Sequence, residues 1–284
     1  KLVSRLGHGS TFTLTIPLEV AAAPVQVARP AAQAVRQDVR ILLAEDNEVN
    51  QLVAQRLLAK LGYSNVEVAF TGREAVEACR VRRYDLVLMD CQMPVMDGLE
   101  AARVLRDDGM QAPIIAFTAS ATSGDRDRCM AAGMNDYLTK PVELAVLADK
   151  LRRWLGDAPA VPGTKAPPVA APRELPDFEA GAIEDRFFGD VELFQHAREL
   201  FVRQTRQGLA DAAGMSDGQA LSRLAHRIRG SAATLGASAL AAVCQRLEDE
   251  GGALAPEQMQ RGVEEALARF EGFVTASQHA LAAA

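Results

Sequence analysis

Between residues 39 and 155, short β-branched apolar runs alternate with amphipathic helical stretches, and this alternation restricts the fold more than any other feature of the chain. The strand candidates are Val39–Ala44, Asn65–Phe70, Asp85–Met89, Pro113–Thr118 and Asn135–Leu138. Between the first two, Val49, Leu52, Val53 and Leu57 recur at spacings of three and four, the mark of one buried helical face. Strand and helix in turn predict an α/β region: a five-stranded, doubly wound parallel sheet covered on both faces. In such a sheet, ligands bind beyond the carboxyl ends of the strands.

The rest of the chain reads differently. Residues 177–284 carry no strand signal but four apolar stripes at helical spacing. These are Leu193, Phe194, Ala197, Leu200, Phe201; Leu221, Leu224, Ala225, Ile228, Ala232, Leu235; Leu240, Val243, Cys244, Leu247; and Met259, Val263, Leu267, Phe270. Gly236 is placed as a C-cap of the second stripe, Gly251 and Gly252 as the stop of the third, and Pro256 at the first turn of the fourth. Four such stripes predict an all-α four-helix bundle. Two Ala/Pro/Val-rich segments, residues 20–38 and 156–176, read as linkers; at ~3.1 Å per residue the second reaches roughly 60 Å. The expected division is therefore 1–19, 20–38, 39–155, 156–176 and 177–284.

At 284 residues, 49% hydrophobic and 24% charged, the composition is that of a globular protein, with no run near the ~20 apolar residues of a membrane helix. The formal charge of −6 argues against nucleic acid as a partner, and direct membrane contact by this portion is not expected either. By the same boundaries the net charge is +2, −2, 0 and −6 for residues 1–38, 39–155, 156–176 and 177–284, so the helical region is the acidic one. Cys79, Cys91, Cys129 and Cys244 stand apart in sequence without metal-type spacing, which fits a reducing, cytoplasmic setting. A first residue of Lys, not Met, points to a piece of a longer protein.

At the ends of the proposed strands stand Glu45 and Asp46, Asp90, Thr118, and Lys140 with Pro141. Carboxylates crowded together repel, and a hard divalent cation with oxygen ligands, Mg²⁺, is the usual way to hold them. Beside a Lys, such a centre suits an incoming phosphoryl group with one carboxylate as nucleophile. The segments Ala44–Asn47, Met89–Gly98, Thr118–Ala119 and Lys140–Pro141 resemble, in the same order and over about 117 residues, the flavodoxin-like receiver domain of two-component response regulators. The resemblance implies that Asp90 accepts phosphate and that Glu45, Asp46, Asp90 and the carbonyl of Gln92 ligate Mg²⁺. It further implies that Thr118 and Lys140 contact the phosphoryl oxygens, that Tyr137 is an aromatic switch, that Gln92 and Ser120 flank the phosphate, and that the Lys140–Pro141 bond is cis.

In the helical region the informative histidine is His226, within Ala225–Ser231. At about 100° per residue it lies roughly 140–160° from the apolar stripe, on a face predicted to meet solvent. Its neighbours there include Arg223, Arg229 and Gly230; the small residue clears space for an approaching surface and the arginines suit a phosphoryl group. Together with Leu235–Ala237, Leu240, Cys244 and Leu247–Glu248, the run is similar to the histidine-containing phosphotransfer domain of multistep phosphorelays. The resemblance implies phosphorylation of His226, with Glu248 orienting the ring and Arg229 standing where the family usually has Lys.

Residues 7–18 resemble the last strands of a histidine kinase ATP-binding domain, without the segments that would hold ATP; His8 reads as a turn residue. The expectation is a carboxy-terminal phosphorelay portion of a hybrid sensor histidine kinase, a phosphotransferase in its full length. Phosphate passes from an upstream kinase phosphohistidine to Asp90, on to His226, and out to the receiver domain of a separate response regulator. Two alternatives remain at this level: a receiver-like interaction module without phosphotransfer, and an aspartyl-phosphate hydrolase. The hydrolase calls for a second Asp where Gln92 stands.

Overall fold

A computed structural model describes residues 2–5, 9–12, 38–118, 123–156, 183, 186–212, 218–249 and 261–272. The greater part of both proposed linkers, His8, Ser120, Gly251, Gly252, Pro256, Met259 and the side chain of Leu221 lie outside the described residues. Residues 1–33 form one compact unit and residues 34–284 another. In the first, β1 (Leu2–Arg5) and β2 (Gly9–Phe12) pair antiparallel, Leu2 opposite Phe12.

In the second unit, β3 (Ile41–Ala44), β4 (Val66–Ala69), β5 (Leu86–Asp90), β6 (Ile114–Thr118) and β7 (Asp136–Thr139) form a parallel sheet in the order β4-β3-β5-β6-β7. Each strand coincides with a predicted run to within two residues at either end. Alternate residues serve opposite faces: Ile41, Leu43, Leu86 and Leu88 pack on one side, Leu42, Ala44, Val87 and Met89 on the other. The helices α1 (Glu48–Lys60), α2 (Gly72–Val81), α3 (Gly98–Asp107), α4 (Ser123–Ala131) and α5 (Leu144–Leu155) connect and cover it.

Short polar side chains start three of these helices. Asn47 caps α1 by accepting from the amides of Val49 and Asn50, Thr71 caps α2 at Glu74, and Asp97 caps α3 at Glu100. The carbonyl oxygen of Asp90 lies where a Cβ on Gly98 would fall, 2.0 Å away, so only glycine lets α3 begin this close to the end of β5.

Beyond the sheet, α6 (Val191–Ala212), α7 (Gly218–Leu235), α8 (Ser238–Asp249) and the helical residues 261–272, here α9, form the bundle. The predicted stripes are its interior: Phe194, Phe201, Ile228, Leu235, Leu240, Cys244, Val263 and Phe270 are buried, with Phe201 and Phe270 edge to face at 6.0 Å. Gly236 takes φ +79° after α7, the left-handed cap expected there. The core does not stop at the domain edge: Val53, Ala54 and Leu57 of α1 share one apolar cluster with Phe187, Ile228 and Leu235.

Candidate functional site

Topology brings the acids together. Glu45 and Asp46 follow β3, Asp90 ends β5 between β3 and β6, and the chain leaves β7 through Lys140. Glu45, Asp46 and Asp90 each offer an oxygen within 4.8 Å of the others. Glu45 and Asp90 are buried, 1% and 3% exposed, and Asp46 is half-buried. The Lys140 ammonium reaches between two of them, 2.6 Å from Glu45 Oε2 and 2.7 Å from Asp90 Oδ2. Burial pushes the Glu45 carboxyl up to about 8 against the opposing Lys140 charge, with Asp90 adding to the rise. Burial and the Asp90 charge likewise raise Asp46, while Lys140 and Arg227 oppose them. A single ammonium thus faces three crowded carboxylates, an oxygen-donor set with charge to spare for a small divalent cation.

The remaining receiver residues fall as follows. The Gln92 amide donates to Asp90 Oδ1 at 3.2 Å, and its side chain is exposed at the mouth of the cleft. Thr118 is buried at the end of β6 and lines the same cleft; its carbonyl accepts from the Lys140 amide at 2.8 Å. The Lys140–Pro141 peptide is cis. Tyr137 is half-buried against the α2/α3 side, with Lys150 Nζ 5.4 Å from its ring centroid, and does not line the cleft. Cys91 and Cys129, far apart in sequence, touch at 3.5 Å between sulfurs beside the site.

His226 is on α7, one residue from the buried Ala225. Its Nδ1 lies 3.2 Å from Glu248 Oε2 of α8, and Arg229 Nε lies 2.7 Å from the other oxygen of Glu248. Arg229 also bonds Gln245 and approaches His226 Nδ1 at 3.1 Å. A carboxylate only accepts and a guanidinium only donates. The Glu248 contact calls for a proton on Nδ1 and the Arg229 contact for a lone pair there; in the tautomer that donates Nδ1–H to Glu248, Nε2 is unprotonated.

Two expectations need correction. The His226 side chain is 17% exposed and does not face open solvent: it lines one cleft of 930 Å³ together with Glu45, Asp46, Asp90 and Lys140. The helical wheel identified the face that the bundle leaves free, but it could not show that the receiver end of the same chain covers that face. Arg229, expected on the open face, is 13% exposed and engaged by Glu248, because α8 packs along that edge of α7. Arg223 and Arg227 are the exposed arginines that α7 brings to the cleft, and Arg227 was not among the residues singled out from the sequence. Gly230 faces Asn50 Nδ2 of α1, but a Cβ there would lie at 3.5 Å, an ordinary contact, so its smallness excludes large side chains only.

Asn50 is the residue beside the acid cluster that sequence reasoning missed. It donates to Glu45 Oε1 at 2.9 Å and accepts from Thr234 Oγ1 of α7 at 3.1 Å, joining the acid cluster to the histidine helix. A polar residue interrupting the apolar face of α1 was the available signal.

The family model described as the response regulator receiver domain matches residues 41–152, and that described as the Hpt domain matches residues 192–273. Sensor protein EvgS of Escherichia coli K12 is 31% identical over 252 residues, covering 87% of this chain and 20% of that protein. Sensor histidine kinase AruS of Pseudomonas aeruginosa is 37% identical over 253 residues, covering 87% of this chain and 24% of that protein. The chain therefore spans about a fifth to a quarter of the length of these sensor proteins. Among solved structures, the receiver domain of a P. aeruginosa PAO1 sensor histidine kinase, with magnesium coordinated in its active-site cleft, is 49% identical; it covers 42% of this chain and 98% of that domain, with a TM-score of 0.39. Across the described residues no helix is long and apolar enough to cross a membrane. Residues 41–152 belong to the response regulator receiver family and residues 192–273 to the Hpt family, and both lie within the region matched to these sensor proteins.

Proposed function

We propose that Asp90 takes a phosphoryl group from the phosphohistidine of an upstream kinase, passes it to His226, and that His226 hands it to the receiver domain of a separate response regulator. The observation that carries this reading is the shared cleft, in which the buried Asp90 carboxylate and the Nδ1-tethered imidazole of His226 face the same space. In the first transfer an Asp90 oxygen forms a P–O bond as the donor's P–N bond breaks, and the electron pair returns to the donor nitrogen. In the second, the lone pair of His226 Nε2 forms a P–N bond while the P–O bond to Asp90 breaks, leaving Asp90 a carboxylate.

The protein's contribution is position and charge. Lys140 lies within hydrogen-bonding reach of Asp90 and is placed to meet phosphoryl oxygens, with the Thr118 hydroxyl beside it. Glu45, Asp46, Asp90 and the Gln92 carbonyl are the residues that would hold Mg²⁺, and the crowding of three carboxylates around one ammonium fits a divalent ion. When bound, the ion supplies positive charge against the phosphoryl oxygens. Transfer uses the tautomer in which Nδ1–H is donated to Glu248 and Nε2 is unprotonated, and Arg223 and Arg227 complement the acid cluster from the helical side of the cleft. The direction of transfer, the location of the parent kinase in the cytoplasm, and a parent ATP-binding domain ending in the β1–β2 hairpin belong to the same proposal.

The test is intact mass after incubation with acetyl phosphate and Mg²⁺. The wild type gains one phosphoryl group, Asp90→Asn gains none, and in the wild type part of the label becomes acid-labile and base-stable at His226. A wild type that stays unmodified supports an inert interaction module, and steady release of phosphate from monoesters supports a hydrolase.

A further inference from the structure

The Asp90 cleft is roofed by the chain's own histidine helix. Contact between the two domains runs the length of α1. In its first turn Asn50 accepts from Thr234 of α7 and faces the backbone at Gly230. In the middle, Val53, Ala54 and Leu57 line a small cavity with Arg186 and Thr234. Towards the end Arg56 pairs with Asp190 at 3.1 Å, and Lys60 Nζ stands 3.5 Å from the Phe188 ring centroid. From Asn50 to Lys60 this is about 15 Å of helix at ~1.5 Å per residue. Asp90 lies below it, 3% exposed, and His226, Arg223 and Arg227 of α7 line the approach.

Transfer to or from Asp90 requires an imidazole nitrogen in line with the phosphorus at about 3–3.5 Å. That approach admits one imidazole, and His226 lines the same cleft. The geometry points to a single-occupancy docking face: α1 and the mouth of the cleft hold either the chain's own phosphotransfer domain or an incoming phosphohistidine protein, never both. Closed, the phosphotransfer domain receives phosphate from Asp90 of the same chain; undocked, it exposes Asp90 to the protein donor. A small donor such as acetyl phosphate enters through the cleft and needs no undocking. This inference rests on the reading that Asp90 and His226 both carry phosphate.

Two full-length variants separate the inference from that reading. One, His226→Gln, is loaded on Asp90 with acetyl phosphate and desalted; the other, Asp90→Asn, supplies an empty His226. Tethering gives roughly millimolar effective concentration, so transfer between the two chains at about 1 µM should be at least ~100-fold slower than transfer within the wild type, and proportional to concentration. Wild-type transfer should not depend on protein concentration. Loosening the lid of the loaded chain should accelerate transfer between chains at least ~10-fold. Asp190→Asn with Phe188→Ala does this while keeping the Oδ1 that caps Leu193, and Thr234→Arg does it independently by wedging the α1 contact. Acetyl phosphate should load Asp90 in each variant within about twofold of the parent rate, which also reports an intact receiver fold. A mixture as fast as the wild type, or lid variants that leave transfer between chains unchanged, overturns the lid while the relay stands. A wild type in which Asp90 or His226 never labels removes the relay reading and the lid with it.

Discussion

The acids around Asp90 come from successive ends of one sheet, held in place by ladder hydrogen bonds whatever else touches them. The imidazole of His226 instead stands on a single helix, steadied by one carboxylate of the next, and the receiver domain closes the space above it. The first site concentrates charge: three carboxylates and one ammonium, mostly buried. The second disperses it, pairing Glu248 with both Arg229 and His226. Their difference teaches a division of labour. The receiver gathers negative charge that a bound cation would relieve, whereas the bundle offers an imidazole whose Nδ1 is met by a carboxylate and a guanidinium.

Removing either acceptor should have the largest effect. Asp90→Asn abolishes labelling by acetyl phosphate throughout the chain, whereas His226→Gln keeps the Asp90 label and blocks its onward passage; phosphopeptide mass spectrometry distinguishes the two. Next comes Lys140→Met. With its ammonium gone, the buried carboxylates lose their close cation, and thermal unfolding without metal should show a loss of about 3–5 kcal/mol. Mg²⁺ should restore more stability to this variant than to the wild type, since the ion replaces the missing charge. Equal Mg²⁺ responses would mean that the acid cluster does not gather charge that a cation relieves.

Glu248→Gln probes the other side of the comparison. Quench-flow should show transfer to His226 slowed about 10–100-fold, with loading of Asp90 untouched. The smallest effect belongs to Asp136, which lies away from both sites. Burial alone would raise its carboxyl, but hydrogen bonds from Lys150, Trp154 and the Tyr137 amide, and the Lys150 charge, hold it below the usual range. A depressed carboxyl stabilises the fold above its unfolded pKa and loses that contribution as pH falls through the folded value. Asp136→Asn should therefore cost about 1–3 kcal/mol near neutrality, and the difference from wild type should vanish in denaturant melts under acid.

Legibility in the sequence followed the same divide. Glu45, Asp46, Asp90, Thr118 and Lys140 could be read together because each ends a strand whose apolar run is visible, and a parallel sheet brings such ends to one edge. The bundle's stripes were equally plain, since the buried face of each helix recurs at three and four residues. The surroundings of His226 were not. A wheel drawn for one helix cannot place a second, so Arg229 seemed open until α8 stood beside it. Nor can it place another domain, so the cleft that His226 shares with the receiver's acids and the Asn50–Thr234 bond, 184 residues apart, were invisible. Cys91 and Cys129 met for the same reason: their contact is made by the loop after β5 and by α4, not by their spacing.

The most direct test of the relay is a rapid-quench time course with radiolabelled acetyl phosphate and Mg²⁺, scoring hydroxylamine-sensitive acyl phosphate against acid-labile phosphoramidate. The account predicts that label appears first at Asp90, then declines there as it rises at His226, and that Asp90→Asn leaves His226 unlabelled over the same interval. Label that reaches His226 at the wild-type rate without Asp90, or that never leaves Asp90, would contradict it.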